Sequence, residues 1–274
     1  MNFNHYLVGA LPKLAWNSPL PSTLEKFLDD NWYQLETLMD PLKDILLQND
    51  LYNIELVLRS QLPKSKAGPA MEPQPLKIYK PNYLEVEDIV KFLQDPFHNL
   101  PDDNFPEFIL DYFLHYRTPQ DRVDHLEDLF ISYFLYLQNC KSRFVRYYGR
   151  VATVIRTVLA AQRILQLGLN LEEHLKGDPY IVQTILENRS SSDLGLKSIF
   201  PEIVDIINLF THEPVELEHE LDKIRFKLME EVGQESPFGD HILLSYIIGF
   251  QVRDIWNTLN KERGDLMLAH IMKG

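Results

Sequence analysis

The segment THEPVELEHELD, residues 211–222, gathers His212, Glu213, Glu216, Glu218, His219 and Glu220, the residue types that ligate divalent metals. A zinc-protease HExxH pattern needs both histidines on one face of a continuous helix, and Pro214 interrupts it. Glu216 and His219 have the ExxH spacing of carboxylate di-iron bundles, but such a site takes two of these motifs and two further glutamates. The sequence has no second ExxH. The expectation is a charged, solvated helix start whose acids suit the positive end of the helix dipole, with no metal and no cofactor. Cys140 is the single cysteine, which excludes an internal disulfide and any multi-cysteine zinc site. Set in a helical stretch without a paired histidine, its thiol is expected to be inert. A glycine-rich phosphate loop, a nucleophile elbow and a kinase motif set are all missing from the sequence. No catalytic residue is expected, and the chain reads as a non-enzyme.

Two other stretches carry unusual polarity. KSRFVRYYGRVATVIRTVLAAQR, residues 141–163, holds Lys141, Arg143, Arg146, Arg150, Arg156 and Arg163 without one acid, in a chain of formal net charge −13. On a helix Arg143, Arg146 and Arg150 share a face. Ordinary pairing with acids of neighbouring helices is the first reading. The alternatives are an acidic protein partner or a nucleic-acid backbone, the latter opposed by the overall negative charge. HILLSYIIGFQVRDIW, residues 241–256, begins like a membrane segment, yet its apolar run is about half the roughly 20 residues a span requires. As a helix it buries more than half its circumference, with Gln251 near the middle of the apolar face and Asp254 at one side. Both then need hydrogen-bonding partners, from the core or from another protein. Arg143, Arg146, Arg150, Gln251 and Asp254 are the candidate interface residues.

These residues sit in a chain whose periodicity is helical throughout, so the fold class is all-α. At 274 residues and 45% hydrophobic it can bury a large core, and residues 1–274 read as one all-α domain of helical sub-bundles. Ser22 with Glu25 forms a capping box that starts a helix near Thr23. The next helix opens around Pro41, with a possible break at Asn49 and Asp50. Residues 62–82 carry five prolines and read as a loop or linker. Thr118 and Pro119 open the longest helical pattern, which reaches towards Gly168. At 1.5 Å per residue it would span about 70 Å, so a break near Asn139 or Gly149 is expected. Gly233 ends the penultimate long helix. The amino terminus lacks the charged start and cleavage site of a secretory signal, and the expected location is the cytoplasm.

The pattern YIIGFQVRDIW resembles the last helix of the C subunit of V-type ATP synthases, known as the d subunit in eukaryotic V-ATPases. It is closer to a bacterial family of unknown function encoded among V-type ATP synthase subunits, whose ending has an acid two residues before a tryptophan, as Asp254 and Trp256 do here. YLVGALP, RFVRYYGRVATVIRTVLAAQRILQLGL and GDPYIVQTILENRSSSDLGL, with Asp193, Gly195 and Leu196, are also similar. Where archaeal and eukaryotic forms carry a Glu-Asn-Glu cluster followed by Arg-Asn, this chain has Gln251, Val252, Arg253 and Asp254. The resemblance implies a funnel-like assembly of similar helical bundles without an active site. It implies a central-stalk subunit that couples the rotor shaft to the membrane proteolipid ring during ion transport. Its partners would be the shaft subunits and the ring, with no nucleic acid and no membrane insertion, and it would lie peripherally at the inner face of the membrane through the complex. An all-α adaptor with an unrelated protein partner is the alternative.

Overall fold

Helix signals in the sequence translate into helices throughout. The computed structural model describes residues 4–62, 78–95, 99, 105–210, 213–234 and 240–258, and every regular element among them is helical. The chain forms two compact units, one of Met1–Asp40 with Asn208–Gly274, the other of Pro41–Ile207. In chain order the second unit is inserted into the first. The first unit opens with α1 (Asn4–Ala10), α2 (Leu24–Leu35) and a 3-10 turn, Glu36–Leu38. From there α3 (Met39–Gln61) runs into the second unit, which continues with α4 (Val86–Gln94), α5 (Glu107–His115), α6 (Pro119–Asp124) and α7 (Leu126–Gln138). It is completed by α8 (Arg143–Gln166), α9 (Leu171–His174) and α10 (Pro179–Glu187). The chain returns through α11 (Ile203–Leu209) to α12 (Pro214–Gln234) and α13 (Asp240–Thr258).

Caps set several of these starts. Thr118 accepts the Asp121 N–H at 3.1 Å with Pro119 at the first helical position, as the sequence predicts. At α2 the cap is Thr23, whose extended backbone (φ −80°, ψ 157°) suits the role and whose hydroxyl accepts the Lys26 N–H at 3.3 Å. Ser22, expected to cap, instead donates to the Thr23 carbonyl. The long pattern after Pro119 divides into α6, α7 and α8. His125, at φ −116° and ψ 23°, separates the first two, and residues 139–142 turn the chain between the last two, where a break near Asn139 is expected. Gly149, the other candidate break, lies inside α8. A Cβ there would sit 2.6 Å from that of Leu137, so this glycine lets α7 and α8 pack backbone to backbone.

The core of the second unit is tied together by tyrosines. Tyr133, fully buried on α7, donates to the carbonyls of Asp44 and Ile45 at 3.0 and 2.9 Å. Tyr136 donates to the Asp44 carboxylate and Tyr148 of α8 to Gln48, so α3, α7 and α8 share one set of polar ties inside an apolar interior.

Helix α3 does not break at Asn49 and Asp50. Both are buried, with Asn53 one turn on, and they hold the segment after the proline-rich stretch. Asn49 donates to the Pro81 carbonyl at 2.8 Å, and Asn53 donates to the Tyr79 carbonyl while accepting the Tyr79 N–H. Asp50 Oδ1 accepts the N–H groups of Tyr83 and Leu84 at 3.0 and 2.9 Å. Residues read as helix breakers are therefore the anchor of residues 79–84. Of the stretch 62–82 read as a loop, residues 63–77 lie outside the described residues.

In the first unit α12 and α13 form a hairpin with close approaches at glycine. A Cβ on Gly249 would meet Phe226 at 3.1 Å, and one on Gly233 would meet Ser245 at 2.6 Å. Gly233 is the penultimate residue of α12, which ends at Gln234, where the sequence predicts its end. Leu243, Leu244, Ile247, Ile248 and Phe250 of α13 are buried, each worth about 1.5–3 kcal/mol of transfer free energy.

Candidate functional site

The arginine stripe lies on the first two turns of α8. That helix starts at Arg143 because Ser142 adopts an extended backbone and accepts the Val145 N–H at 3.4 Å. Phe144 and Val145 point into the core while Arg143, Arg146 and Arg150 are exposed. The pairing with neighbouring acids that the sequence suggests first is not made: among the described residues none of these arginines forms an ion pair with an acid. Arg146 has a local task, donating to the carbonyls of Cys140 and Lys141 at 2.7 Å each and so bracing the turn between α7 and α8. Among the described residues Arg143 and Arg150 make no such contacts. Further along, Arg156 lies over the rings of Phe130 and Phe134 at 5.3 and 5.4 Å, a cation–π contact inside the unit. The surface of the stripe is therefore Arg143, Arg146 and Arg150, with Lys141 exposed beside it.

Gln251 and Asp254 belong to the other unit. Asp254 Oδ2 accepts the Leu24 N–H at 3.3 Å, adding a second acceptor to the start of α2, where carboxylates are favoured. Gln251 is half-buried and engaged within the chain. Sequence reasoning overlooked Arg253. It is 5% exposed and donates to the carbonyls of Ala15 and Ser18, fixing the segment before α2. Those partners lie more than 230 residues away, so no local pattern announces them. The polar end of α13 thus organises its own unit.

The His219 region is also structural. The His219 ring meets Trp16 and Trp256 edge-on at 5.4 and 4.9 Å. Asp222 accepts from Trp256 Nε1 at 2.8 Å and from Arg225. Burial raises the Asp222 carboxyl, and the Arg225 guanidinium opposes that rise. Glu216 and Glu218 are exposed, and His212 lies outside the described residues. Among the described residues no group of three or more His, Cys, Asp or Glu side chains is placed to hold a metal ion. Cys140 is buried, and burial pushes its thiol up to about 12.

A cleft of about 660 Å3 in the second unit was not visible in the sequence. Asp111, Tyr112 and His115 of α5 and Tyr116 just after it line the cleft with Asp128 of α7 and Lys176. Tyr116 donates to Asp128 Oδ2 at 2.5 Å and Lys176 to Oδ1 at 2.8 Å. Burial raises the Asp128 carboxyl, but the Lys176 and Tyr116 hydrogen bonds outweigh it and leave it below its ordinary value. The same hydrogen bond pushes the Tyr116 hydroxyl up to about 12. These groups satisfy one another as a strut rather than as a proton donor and acceptor poised near neutrality.

The profile of a family described as "Protein of unknown function (DUF2764)" matches residues 1–274. Relatives include an uncharacterized protein of Chlamydia trachomatis serovar D, 24% identical over 165 residues, 58% of this chain and 62% of the relative. Others come from Chlamydia muridarum, 23% identical over 62% of this chain and 65% of the relative, and Chlamydia pneumoniae, 24% identical over 63% and 66%. The chain therefore spans less than two thirds of these relatives' length. No solved structure matches. The expected membership in the C-subunit family of V-type ATP synthases is corrected by these findings: neither the family description nor the relatives' names mention a V-type ATP synthase. The likeness at YIIGFQVRDIW spreads over short apolar and aromatic positions, which helical packing alone also selects.

Proposed function

We propose, from the premise that this chain belongs to the DUF2764 family, that it is a non-catalytic all-α adaptor whose Arg143, Arg146 and Arg150 dock an acidic surface of a protein partner. One observation carries the reading: arginines at this spacing stand exposed and, among the described residues, without acidic partners, on the longest described helix of a chain of net charge −13. An isolated cationic patch on an anionic protein steers an acidic partner to one place and repels it elsewhere. Nucleic acid fits less well, because the remaining surface repels a polyphosphate.

The assembly proposed for this adaptor is a V-type ATPase. There it would act in the central stalk, joining rotor shaft to proteolipid ring during ion transport, peripheral to the inner face of the membrane, with a funnel-like arrangement of its bundles. That role does not depend on membership in the C-subunit family. It fits a helical protein of which no described helix is long and apolar enough to cross a membrane. Affinity purification of the tagged protein from native membranes in mild detergent, with mass spectrometry of the captured proteins, tests it. Shaft and proteolipid subunits are the expected catch. Reproducible capture of other proteins alone would reject the rotary assembly and leave the adaptor.

A further inference from the structure

Helix α2 turns one face inward and another outward, and the outward face is not an ordinary solvated one. Leu24, Phe27 and Leu35 are buried, with the Phe27 ring against Tyr246 and Phe250 at 5.4 and 5.6 Å. On the other side Trp32 is 51% exposed and Tyr33 90% exposed. At about 100° per residue, Glu25, Asp29, Trp32 and Tyr33 fall within an arc of about 100°. Glu36 extends the face into the following 3-10 turn. Over residues 24–38 the acids are Glu25, Asp29, Asp30 and Glu36, and the one cation is Lys26. Among the described residues Asp29, Asp30 and Glu36 make no ion pair.

The geometry points to a second interaction surface on α2, centred on Trp32 and Tyr33, that takes an arginine-bearing cationic segment of a partner protein. Indole and phenol rings attract a cation to their faces, and a guanidinium stacks on them where an ammonium stays hydrated. The flanking carboxylates supply charge complementarity at the rim. An anionic lipid surface or a nucleic acid would be repelled by the same acids. A second copy of this chain arrives with net charge −13. This face belongs to the first unit and the arginine stripe to the second, so the inference stands apart from the docking role of the stripe.

The test uses the full chain and a fluorescein-labelled nona-arginine peptide, with nona-lysine as comparison, in anisotropy titrations at about 0.15 M salt, where long-range attraction is screened. Trp32→Ala/Tyr33→Ala leaves the net charge untouched, so non-specific attraction to an acidic protein is unchanged. The double variant is expected to weaken nona-arginine binding about tenfold and nona-lysine binding less. Both positions are exposed, so the thermal melt by circular dichroism is expected to match the wild type. Equal nona-arginine affinities for variant and wild type would overturn the inference, by assigning binding to charges spread over the chain. Concentration-dependent self-association in sedimentation, abolished by both Trp32→Ala/Tyr33→Ala and Arg143→Glu/Arg150→Glu, would also overturn it by giving the face to a second copy.

Discussion

Replacing Asp50 by asparagine should stabilise the second unit at alkaline pH and do progressively less as the pH falls. Asp50 is 0% exposed, and burial pushes its carboxyl from 3.8 up to about 7, against the pull of the Leu84 and Tyr83 N–H groups. The folded chain thus holds this proton more tightly than the unfolded chain. The resulting stability is fully present below about 3.8 and is lost as the pH rises through about 7. An asparagine in the same rotamer keeps Oδ1 accepting from Tyr83 and Leu84 and carries no charge to desolvate. At 1.36 kcal/mol per pKa unit, Asp50→Asn should gain about 2–3 kcal/mol on the wild type between pH 5 and pH 8. Urea unfolding of both proteins at four pH values measures this, followed by circular dichroism rather than by tryptophan fluorescence. Trp16, Trp32 and Trp256 all belong to the other unit. A stability difference that stays constant across this range would refute the reasoning, since it would mean that Asp50 is not desolvated against residues 79–84.

Three further outcomes follow from the packing. Arg146→Ala should cost about 1 kcal/mol through the orphaned carbonyls of Cys140 and Lys141. Arg143→Ala and Arg150→Ala should stay within about 0.5 kcal/mol, as thermal melts of the single variants would show. Gly149→Ala forces a Cβ to 2.6 Å from that of Leu137 and should cost about 1–3 kcal/mol, read by urea unfolding. The buried Cys140 thiol, held near 12, should resist a thiol reagent at pH 8 in the folded protein and react at once in denaturant.

What was legible in the sequence is what short range decides. Thr118 with Pro119 marks a helix start because the cap closes on a residue three places on, and the apolar periodicity of residues 243–250 follows from one helix meeting its neighbours. Asn49 and Asp50 misled for the same reason. Their helix-breaking tendency is local, whereas the carbonyl and N–H groups that satisfy them lie about thirty residues downstream. Arg253 escaped notice because an arginine is ordinarily exposed, and only the tertiary fold brings the carbonyls of Ala15 and Ser18 to it. The arginine stripe was visible as composition, yet whether acids faced it depended on where the helices lay. The cleft beside Lys176 joins α5, α7 and the start of α10, and no stretch of sequence contains it.

The most direct test of the docking role is the same capture from native membranes with Arg143→Glu/Arg150→Glu, which spares the hydrogen bonds made by Arg146 and is expected to leave the circular dichroism spectrum unchanged. The account predicts that proteins recovered with the wild type are lost from the double variant. It also predicts that raising the salt from about 0.1 to about 0.5 M weakens their capture by the wild type, because an exposed ionic contact is screened. Full recovery by the double variant at both salt concentrations would contradict the claim that this stripe is where the protein meets its partner.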